Sequence, residues 1–526
     1  MRTPLSMIAA LGFLSAAAQP FGNYELVLRK LTPVGMPGVQ SFAWGQQDGQ
    51  WFIIGGRTDG LHRRQPPFAF LAADNNVSAY VVDPATWQIW SAGLGALPQG
   101  LLEQLQSTNM EFEQRDSTLY CIGGYGYSIT AADHITYPNL AAIDLAGVMQ
   151  AIRDAQPITP FFRQITDPRL EVTGGQLRLL DGKFYLVGGQ RFIGRYNPMG
   201  PDFGPGFIQE YTNAVRRFSI DDDGVNIGIT DYWELVDTVN LHRRDYNMLP
   251  QIFPDGLEGL TVFSGVFQYA SDVPWLNTVD ILDTTISVVP VFEQLLNQYH
   301  TAHAGLYQAS SNTMRSLFFG GIGRYYFDGN GTLMDDPNVP FVSTISMVQR
   351  DAVGMMSESD IGAMPALLGA SAEFIPWPAT PQTSTGILLQ DQFVGDTILL
   401  GHIVGGIESS APNIFFVNTG TQSEASTKVF EVSLVDQSTT VMELSSTARM
   451  RVYVDGRTLR VSPGEVLPQG TRLRILDSLG RAVIARNVVL ADKSGALDVD
   501  LNGIPRGSYV VELRSGVRSL TARFVF

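Results

Sequence analysis

Residues 178–189 read RLLDGKFYLVGG: two short apolar strands, separated by Asp181-Gly182 and closed by a glycine pair. The same order occurs five more times, with only Ser264-Gly265 in place of the glycine pair in one copy. The other copies are QQDGQWFIIGG (46–56), EQRDSTLYCIGG (113–124), PDGLEGLTVFSG (254–265), SSNTMRSLFFGG (310–321) and FVGDTILLGHIVGG (393–406). A strand-rich repeat every roughly 55 to 85 residues predicts an all-β chain built by the radial repetition of a β-propeller.

The turn and the glycine pair of each copy have separate physical reasons. A dipeptide such as Asp48-Gly49 supplies the positive φ angles that a tight hairpin needs. Gly55-Gly56 then lets two backbones approach each other where a Cβ atom would collide. We therefore expect the glycine pairs to lie near the crowded axis of the ring.

Aromatic residues farther along some units complete a recognisable order. Tyr80 and Trp90 follow the first glycine pair, and Phe218 and Trp233 follow the third. This order resembles the Kelch repeat, including the central domain of galactose oxidase-like proteins, over roughly residues 20–440. The resemblance implies a six-bladed Kelch-type propeller.

The two ends of the repeat region complement each other. Residues 24–28 form a lone predicted strand before the first unit, and the sixth unit lacks a final strand. Joining them would close the ring and protect open sheet edges. We therefore expect an N-terminal strand to close the propeller, which occupies residues 19–440.

The C-terminal segment has a different composition. Residues 449–526 contain 13 basic and seven acidic residues, a net charge of +6, in a chain whose total is −16. Short alternating strands separated by turns predict a small β-sandwich over residues 445–526. The stretches LRILDSLGRAV, IPRGSYVVELRSG and ARFVF resemble the C-terminal sorting domain of type IX secretion cargo in Bacteroidetes. That resemblance implies the type IX machinery as a partner of residues 445–526, and export to the outer cell surface.

The N-terminus predicts the same destination. Met1-Arg2, the apolar run 5–17 and the small residues 16–18 are typical of a signal peptide spanning residues 1–18. We expect a secreted or cell-surface protein with no transmembrane segment, because no later run is apolar enough to span a bilayer. The net charge of −16 argues against nucleic acid as a partner.

Arginines and aromatic residues concentrate in the loops after the glycine pairs and at the starts of the innermost strands. Such side chains suit a glycan, because aromatic rings stack and arginine offers a planar fork of donors. The predicted binding residues are Arg57, Arg191, Arg195, Arg243, Arg244, Tyr246, Tyr299, His300, Arg324 and Tyr325. Two structural interpretations stay open: an arginine such as Arg243 can tie neighbouring blades together, and the aromatic loops can cap the ring.

These observations favour a binding module for a glycan or another protein. The first alternative is a carbohydrate-active enzyme of epimerase, lyase or oxidase type on the same rim, with Glu111 and His300 as an acid–base pair. The second is a structural surface protein. Tyr299-His300 resembles the copper site of galactose oxidase-like proteins, but Cys121, the only candidate for the thioether cysteine, lies on a second strand and not at the start of an inner strand, which argues against copper-radical oxidation. No cofactor or metal is expected.

Overall fold

The computed structural model describes residues 21–289, 291–437, 450–462, 471–477, 481–488, 497–515 and 518–526. The chain divides into two compact units, Met1–Asp436 and Gln437–Phe526. The predicted signal peptide (1–18) and the predicted start of the C-terminal module at residue 445 lie outside the described residues. No helix among the described residues is long and apolar enough to cross a membrane.

Antiparallel sheets of four strands, consistent with propeller blades, build the described part of the first unit. The N-terminal strand is β1 (Tyr24–Leu31). Sheet I contains β2 (Ala43–Gln47), β3 (Gln50–Ile54), β4 (Ser78–Asp83) and β5 (Gln88–Gly93). Sheet II contains β6 (Thr108–Arg115), β7 (Thr118–Ser128), β9 (Asn139–Asp144) and β10 (Phe162–Thr166), with β8 (Asp133–Thr136) beside β7. Sheet III contains β11 (Gln176–Leu180), β12 (Lys183–Val187), β15 (Ala214–Asp222) and β16 (Ile227–Val236), with the loop hairpin β13 (Gln190–Ile193) and β14 (Ile208–Tyr211).

The remaining sheets of this unit follow the same plan. Sheet IV contains β17 (Asn247–Ile252), β18 (Glu258–Phe263), β19 (Val279–Leu282) and β20 (Thr285–Val288). Sheet V contains β21 (His303–Gln308), β22 (Thr313–Ile322), β25 (Phe341–Arg350) and β26 (Met356–Ala363), with the loop hairpin β23 (Tyr325–Phe327) and β24 (Leu333–Asp335). Sheet VI contains β27 (Leu367–Pro376), β29 (Thr397–Ser409), β31 (Val429–Asp436) and β1, with β30 (Ser423–Ala425) beside β29. Two helices, α1 (Gln99–Leu105) and α2 (Leu145–Arg153), pack on sheets I and II.

A closed circle of backbone hydrogen bonds joins the six sheets, through residues that lie just before or within their first strands. In each bond the N–H of one residue donates to the carbonyl of its counterpart in the preceding sheet, over 2.8 to 3.3 Å. We call these residues the axial ring: Ser41, Asn109, Gly174, Asp245, His300 and Ser371. Because Ser41 of sheet I donates to Ser371 of sheet VI, the circle has no gap.

The glycine pairs lie beside this ring. The amide of Gly124 donates to the carbonyl of Val172, which lies two residues before the ring position of the next sheet. A Cβ atom on Gly123 would lie 1.9 Å from that same carbonyl oxygen. The expected close approach of two backbones is confirmed, and it explains why glycine recurs there.

The N-terminal strand completes sheet VI, as predicted from the two ends of the repeat region. β1 pairs antiparallel with β31 over eight residues, from Tyr24 opposite Asp436 to Leu31 opposite Val429. Leu26 and Leu28 pack against the apolar core of that sheet. The edge of β31 is therefore covered by the other end of the chain.

A long connection in sheet VI crosses the side of the sheets opposite the axial ring. Within it, β28 (Leu388–Leu389) pairs in parallel with β21 of sheet V. Asp391 accepts hydrogen bonds from the amide and hydroxyl of Ser310, and Thr385 donates to Glu258 of sheet IV. One segment thus links three sheets on the far side.

The second unit has two antiparallel sheets around a common apolar core. One contains β32 (Arg451–Asp455), β33 (Thr458–Ser462) and β36 (Leu497–Asp500). The other contains β34 (Arg472–Leu476), β35 (Ala482–Asn487), β37 (Ser508–Ser515) and β38 (Arg518–Val525). Alternating residues such as Leu473, Ile475 and Val511 point into this core.

Candidate functional site

Six segments follow the glycine pairs and Ser264-Gly265, at the ends of the second strands on the side of the axial ring. We call the surface that these post-glycine loops form the loop face. Aromatic rings of four loops contact one another there. His62 stacks on Phe70 at 4.3 Å, Phe70 meets Tyr125 at 5.1 Å, and Tyr125 meets Phe192 at 5.2 Å between ring centroids. The loops therefore pack together as a cap, as one of the two structural interpretations anticipated.

His62 lies at the centre of this cap. Its ring also contacts Tyr196 of the sheet III loop at 5.2 Å and Phe415 at 6.0 Å, which adds the loop of sheet VI as the fourth. Burial lowers the pKa of His62 to about 4, although its hydrogen bond to the Arg63 carbonyl works in the other direction. The imidazole is therefore neutral at physiological pH and acts as one more aromatic ring.

Other aromatic rings of the loop face are left in solvent. In the described part of the first unit, four aromatic side chains are at least 46% exposed, and all four lie on post-glycine loops: Phe68, Phe203, Tyr269 and Phe416. The two remaining loops expose Ile129 and Leu333. Exposed aromatic rings concentrated on one face mark a surface for interaction.

Three predicted binding arginines of the loop face are already neutralised. Arg57 is 2% exposed and forms two 2.8 Å hydrogen bonds with Asp59. Arg191 forms ion pairs with Glu171, at 2.8 Å, and with Glu210. Arg324 donates two hydrogen bonds to Asp335. The predicted Tyr325 lies opposite Asp335 in the same loop hairpin. Their fork geometry is used within the protein.

Two other predicted residues are buried. Arg243 is 1% exposed and donates to the carbonyls of Asn240, Ser264 and Asn277. Tyr246 is fully buried and its hydroxyl donates to the Val187 carbonyl at 2.5 Å. Tyr246 thus ties the start of sheet IV to sheet III, and Arg243 holds that start against the loop of sheet IV. Neither side chain is available at the surface.

Arg244 and Tyr299 lie together beside the axial ring. Arg244 contacts the carboxylate of Asp245 and lies 5.0 Å from the centroid of Phe267. The Tyr299 hydroxyl is buried without a hydrogen-bond partner among the described residues, and burial raises the pKa of Tyr299 while nearby Arg244 lowers it. The guanidinium of Arg244, the carboxylate of Asp245 and the phenol of Tyr299 thus lie near one another.

His300 belongs to a small cavity on the axis. Its Nε2 lies 3.0 Å from Oε1 of Glu373, which is 7% exposed. Glu111 lines the same cavity, and its Oε2 has no hydrogen-bond partner among the described residues. Burial raises the pKa of Glu111 to about 8, although the Gly175 amide donates to its other oxygen. Glu111 and His300 thus line the same cavity.

The size of this cavity decides what it can hold. Its volume is about 20 Å³, which is room for one water molecule and not for a sugar ring. The first strands around it are joined by the hydrogen bonds of the axial ring. Glu111 therefore has no space beside it for a carbohydrate substrate.

The acidic turns of the chain are satisfied locally. Asp222 pairs with Arg163 at 2.6 Å, and Asp223 accepts from the amides of Val225 and Asn226. Asp328 closes its own turn by accepting from the amides of Asn330 and Thr332. Among the described residues, no group of three or more His, Cys, Asp or Glu side chains could hold a metal ion.

Sequence reasoning did not single out the exposed rings of Phe68 and Phe416, which lie beside the loop arginines Arg63 and Arg64. The Nη1 atom of Arg195 donates to the Pro67 carbonyl at 2.5 Å. Next to it, the Arg63 guanidinium lies 4.0 Å from the centroid of the exposed Phe68, and that of Arg64 lies 4.5 Å from Phe416. The only signal in the sequence was the run HRRQPPFAF, whose aromatic residues looked like any others in a loop.

Comparisons with known proteins describe the fold only. No family model and no curated protein matches this chain. A solved structure that it is similar to is that of YjhT, a Kelch-repeat propeller protein, at 12% sequence identity and a TM-score of 0.40. That match covers 82% of this chain and 98% of YjhT.

Proposed function

We propose that this protein is a six-bladed Kelch-type β-propeller that recognises a glycan through its loop face. The four-stranded sheets, their closed axial ring and the pairing of β1 with β31 support the propeller. Recognition is supported by one observation above all. In the described part of the first unit the most exposed aromatic side chains lie on this face, although the cap beneath them already holds the loops together.

A solvent-exposed aromatic ring costs hydration free energy unless a partner covers it. Phe68 is 46% exposed and Phe416 is 59% exposed, and each has an arginine over one ring face. The C–H groups of a sugar ring stack on such a surface, while guanidinium groups donate to its oxygens. The chemistry of the loop face therefore suits a glycan better than it suits an apolar ligand.

A glycan-array screen of the purified chain tests this proposal. We expect saturable binding to at least one glycan, and loss of that binding in the variant Phe68→Ala/Phe416→Ala. The matched control is Val394→Ala/Val353→Ala, which removes exposed apolar side chains from the turns opposite the loop face. Circular dichroism confirms that both variants fold. Absence of binding to every glycan would reject glycan recognition and leave a protein partner or a structural role.

The proposal includes export to the cell surface. The basic and apolar N-terminus supports passage through the inner membrane, and the resemblance of residues 473–526 to a sorting domain supports type IX secretion. In a Bacteroidetes host we expect the protein at the cell surface with Gln19 as its first residue, determined by mass spectrometry. A chain that ends at residue 444 should be retained in the periplasm. Equal surface levels of both chains would contradict the sorting role.

A further inference from the structure

The arginines of the loop face fall into two groups by their partners. Those paired with carboxylates are Arg57, Arg191, Arg244 and Arg324. The other group is Arg63, Arg64 and Arg195, and no described residue gives any of them an ion pair within 4.0 Å. The second group therefore carries positive charge that the described part of the protein does not neutralise locally.

These three arginines lie close together, and we call them the arginine patch. Arg63 and Arg64 are neighbours in the chain, and Arg195 donates to the carbonyl of Pro67, in the same loop. Tyr196, the neighbour of Arg195, contacts His62 at 5.2 Å. The loops of sheets I and III thus place three guanidinium groups on one part of the loop face.

The guanidinium groups are held by aromatic faces and a carbonyl, which leave further N–H donors available. Arg63 lies over Phe68, and Arg64 lies over both Phe415, at 5.1 Å, and Phe416. Stacking on an aromatic ring fixes the plane of a guanidinium without using its hydrogen bonds. An arginine held in this way is ready to donate two parallel hydrogen bonds to a carboxylate or sulfate.

The charge of the whole chain makes this patch unusual. The chain carries −16, and since residues 449–526 carry +6, the rest carries −22. No described residue forms an ion pair with these three arginines, so their like charges repel one another, whereas acidic residues pair with other arginines of the same face. An anionic ligand would relieve that repulsion.

We infer that the glycan bound by the loop face is acidic, with carboxylate or sulfate groups that the arginine patch contacts. This inference rests on the proposed glycan recognition and adds the class of glycan. The exposed Phe68 and Phe416 stack on sugar rings, and Arg63, Arg64 and Arg195 bind the acidic groups between them. Charge complementarity on an acidic protein also makes the binding sensitive to salt.

Matched pairs of polysaccharides test this inference on the full chain. The first pair is polygalacturonate and its fully methyl-esterified form, which share a backbone and differ in carboxylate charge. The second is dextran sulfate and dextran, which differ in sulfate. We expect the acidic member of at least one pair to bind at least about tenfold more tightly than the neutral member. The pair that shows the difference identifies the acidic group.

Variants assign the preference to the arginine patch. In Arg63→Gln/Arg64→Gln/Arg195→Gln we expect the preference for the acidic polysaccharide to fall by at least about tenfold. The control Arg191→Gln/Arg324→Gln removes two arginines of the same face that are paired with carboxylates. This variant should retain the preference for the acidic polysaccharide. Lysine replacements at the three positions separate charge from fork geometry, because they keep the charge alone.

The outcomes distinguish the two proposals. Equal binding of acidic and neutral members by the unmodified chain, or a full preference in the glutamine variant, would overturn the acidic-glycan inference and leave glycan recognition in place. Binding to none of the four polysaccharides or to any arrayed glycan would reject both. Binding to an acidic peptide such as polyglutamate, with no polysaccharide bound, would also overturn the inference and identify a protein partner.

Discussion

Arg243 and Arg324 lie on the same side of the first unit and differ in burial. Arg243 is 1% exposed and donates to three carbonyls, whereas Arg324 pairs with the exposed Asp335. Removing a buried donor leaves its acceptors without partners, so we expect Arg243→Ala to lower the free energy of unfolding by about 3 kcal/mol. For Arg324→Ala we expect a loss of about 0–1 kcal/mol, because exposed ion pairs contribute little. Urea titrations of both variants measure the difference, and equal losses would contradict this account.

Glu111 makes the stability of the first unit depend on pH. Burial raises its pKa to about 8, from an ordinary value of 4.5, so the folded state holds the proton more tightly than the unfolded chain does. The stability that this group contributes is therefore complete below about pH 4.5 and is lost as pH rises through about 8. Between these two pH values we expect this group to lower the free energy of unfolding by on the order of 1 kcal/mol per pH unit.

The variant Glu111→Gln tests this pH dependence. It keeps an oxygen that can accept from the Gly175 amide but cannot ionise, so its urea midpoint should fall less steeply between pH 5 and pH 8 than that of the unmodified chain. The exposed Glu424→Gln is the control and should follow the unmodified chain. Glu113 and Glu358 also have raised pKa values, about 7 and about 8. Some slope will therefore remain, and identical slopes in both variants would refute the role of Glu111.

At the scale of single elements, the glycine pair is the most constrained part of each sheet. Gly123 has a φ of +65° and would place a Cβ atom 1.9 Å from the Val172 carbonyl. We expect Gly123→Ala to cost more than about 3 kcal/mol, because both the φ angle and the contact are unfavourable. Gly228 in β16 has open space around its Cβ position, so Gly228→Ala should change stability by less than about 0.5 kcal/mol. Similar thermal unfolding temperatures for the two variants would count against this explanation of the repeat.

The strand β1 is the element on which closure depends. Its eight pairs with β31 would be lost in a chain that starts at residue 32, which would leave a long open edge on sheet VI. We expect that chain to unfold at a lower temperature and to self-associate with rising concentration, measured by calorimetry and size-exclusion chromatography. A chain that starts at residue 21 is the control. A monomer of unchanged stability without β1 would contradict the closure.

The sequence predicts these elements better than it predicts the candidate site, for a physical reason. Asp181-Gly182 and the glycine pair after β12 act within a few residues, so their pattern is visible in one hairpin. The partners of a loop arginine come from distant segments: Glu171 and Glu210 neutralise Arg191, while no described residue forms an ion pair with Arg195 in the next turn. Nothing local in the sequence separates these two arginines. The sequence therefore cannot show which of the ten predicted residues are buried or neutralised and which charges stay available.

At the scale of the whole molecule, the two units differ in size, charge and core. Met1–Asp436 and Gln437–Phe526 each form a compact unit, and the core of the second is a separate cluster around Leu473, Ile475 and Val511. Residues 449–526 carry +6 and the rest carry −22. Units with separate cores and opposite charge should respond differently to heat and to salt.

We therefore expect two unfolding transitions in calorimetry of the full chain. Unfolding enthalpy is about 0.7 kcal/mol per residue, so the larger unit should give a peak several times larger than that of the smaller one. A chain of residues 19–440 should show only the large transition. Added salt should stabilise that transition more, because screening relieves repulsion among the excess carboxylates of the acidic unit. A single transition for the full chain, shifted when residues 441–526 are removed, would mean that the units unfold together and that their separation into independent modules is wrong.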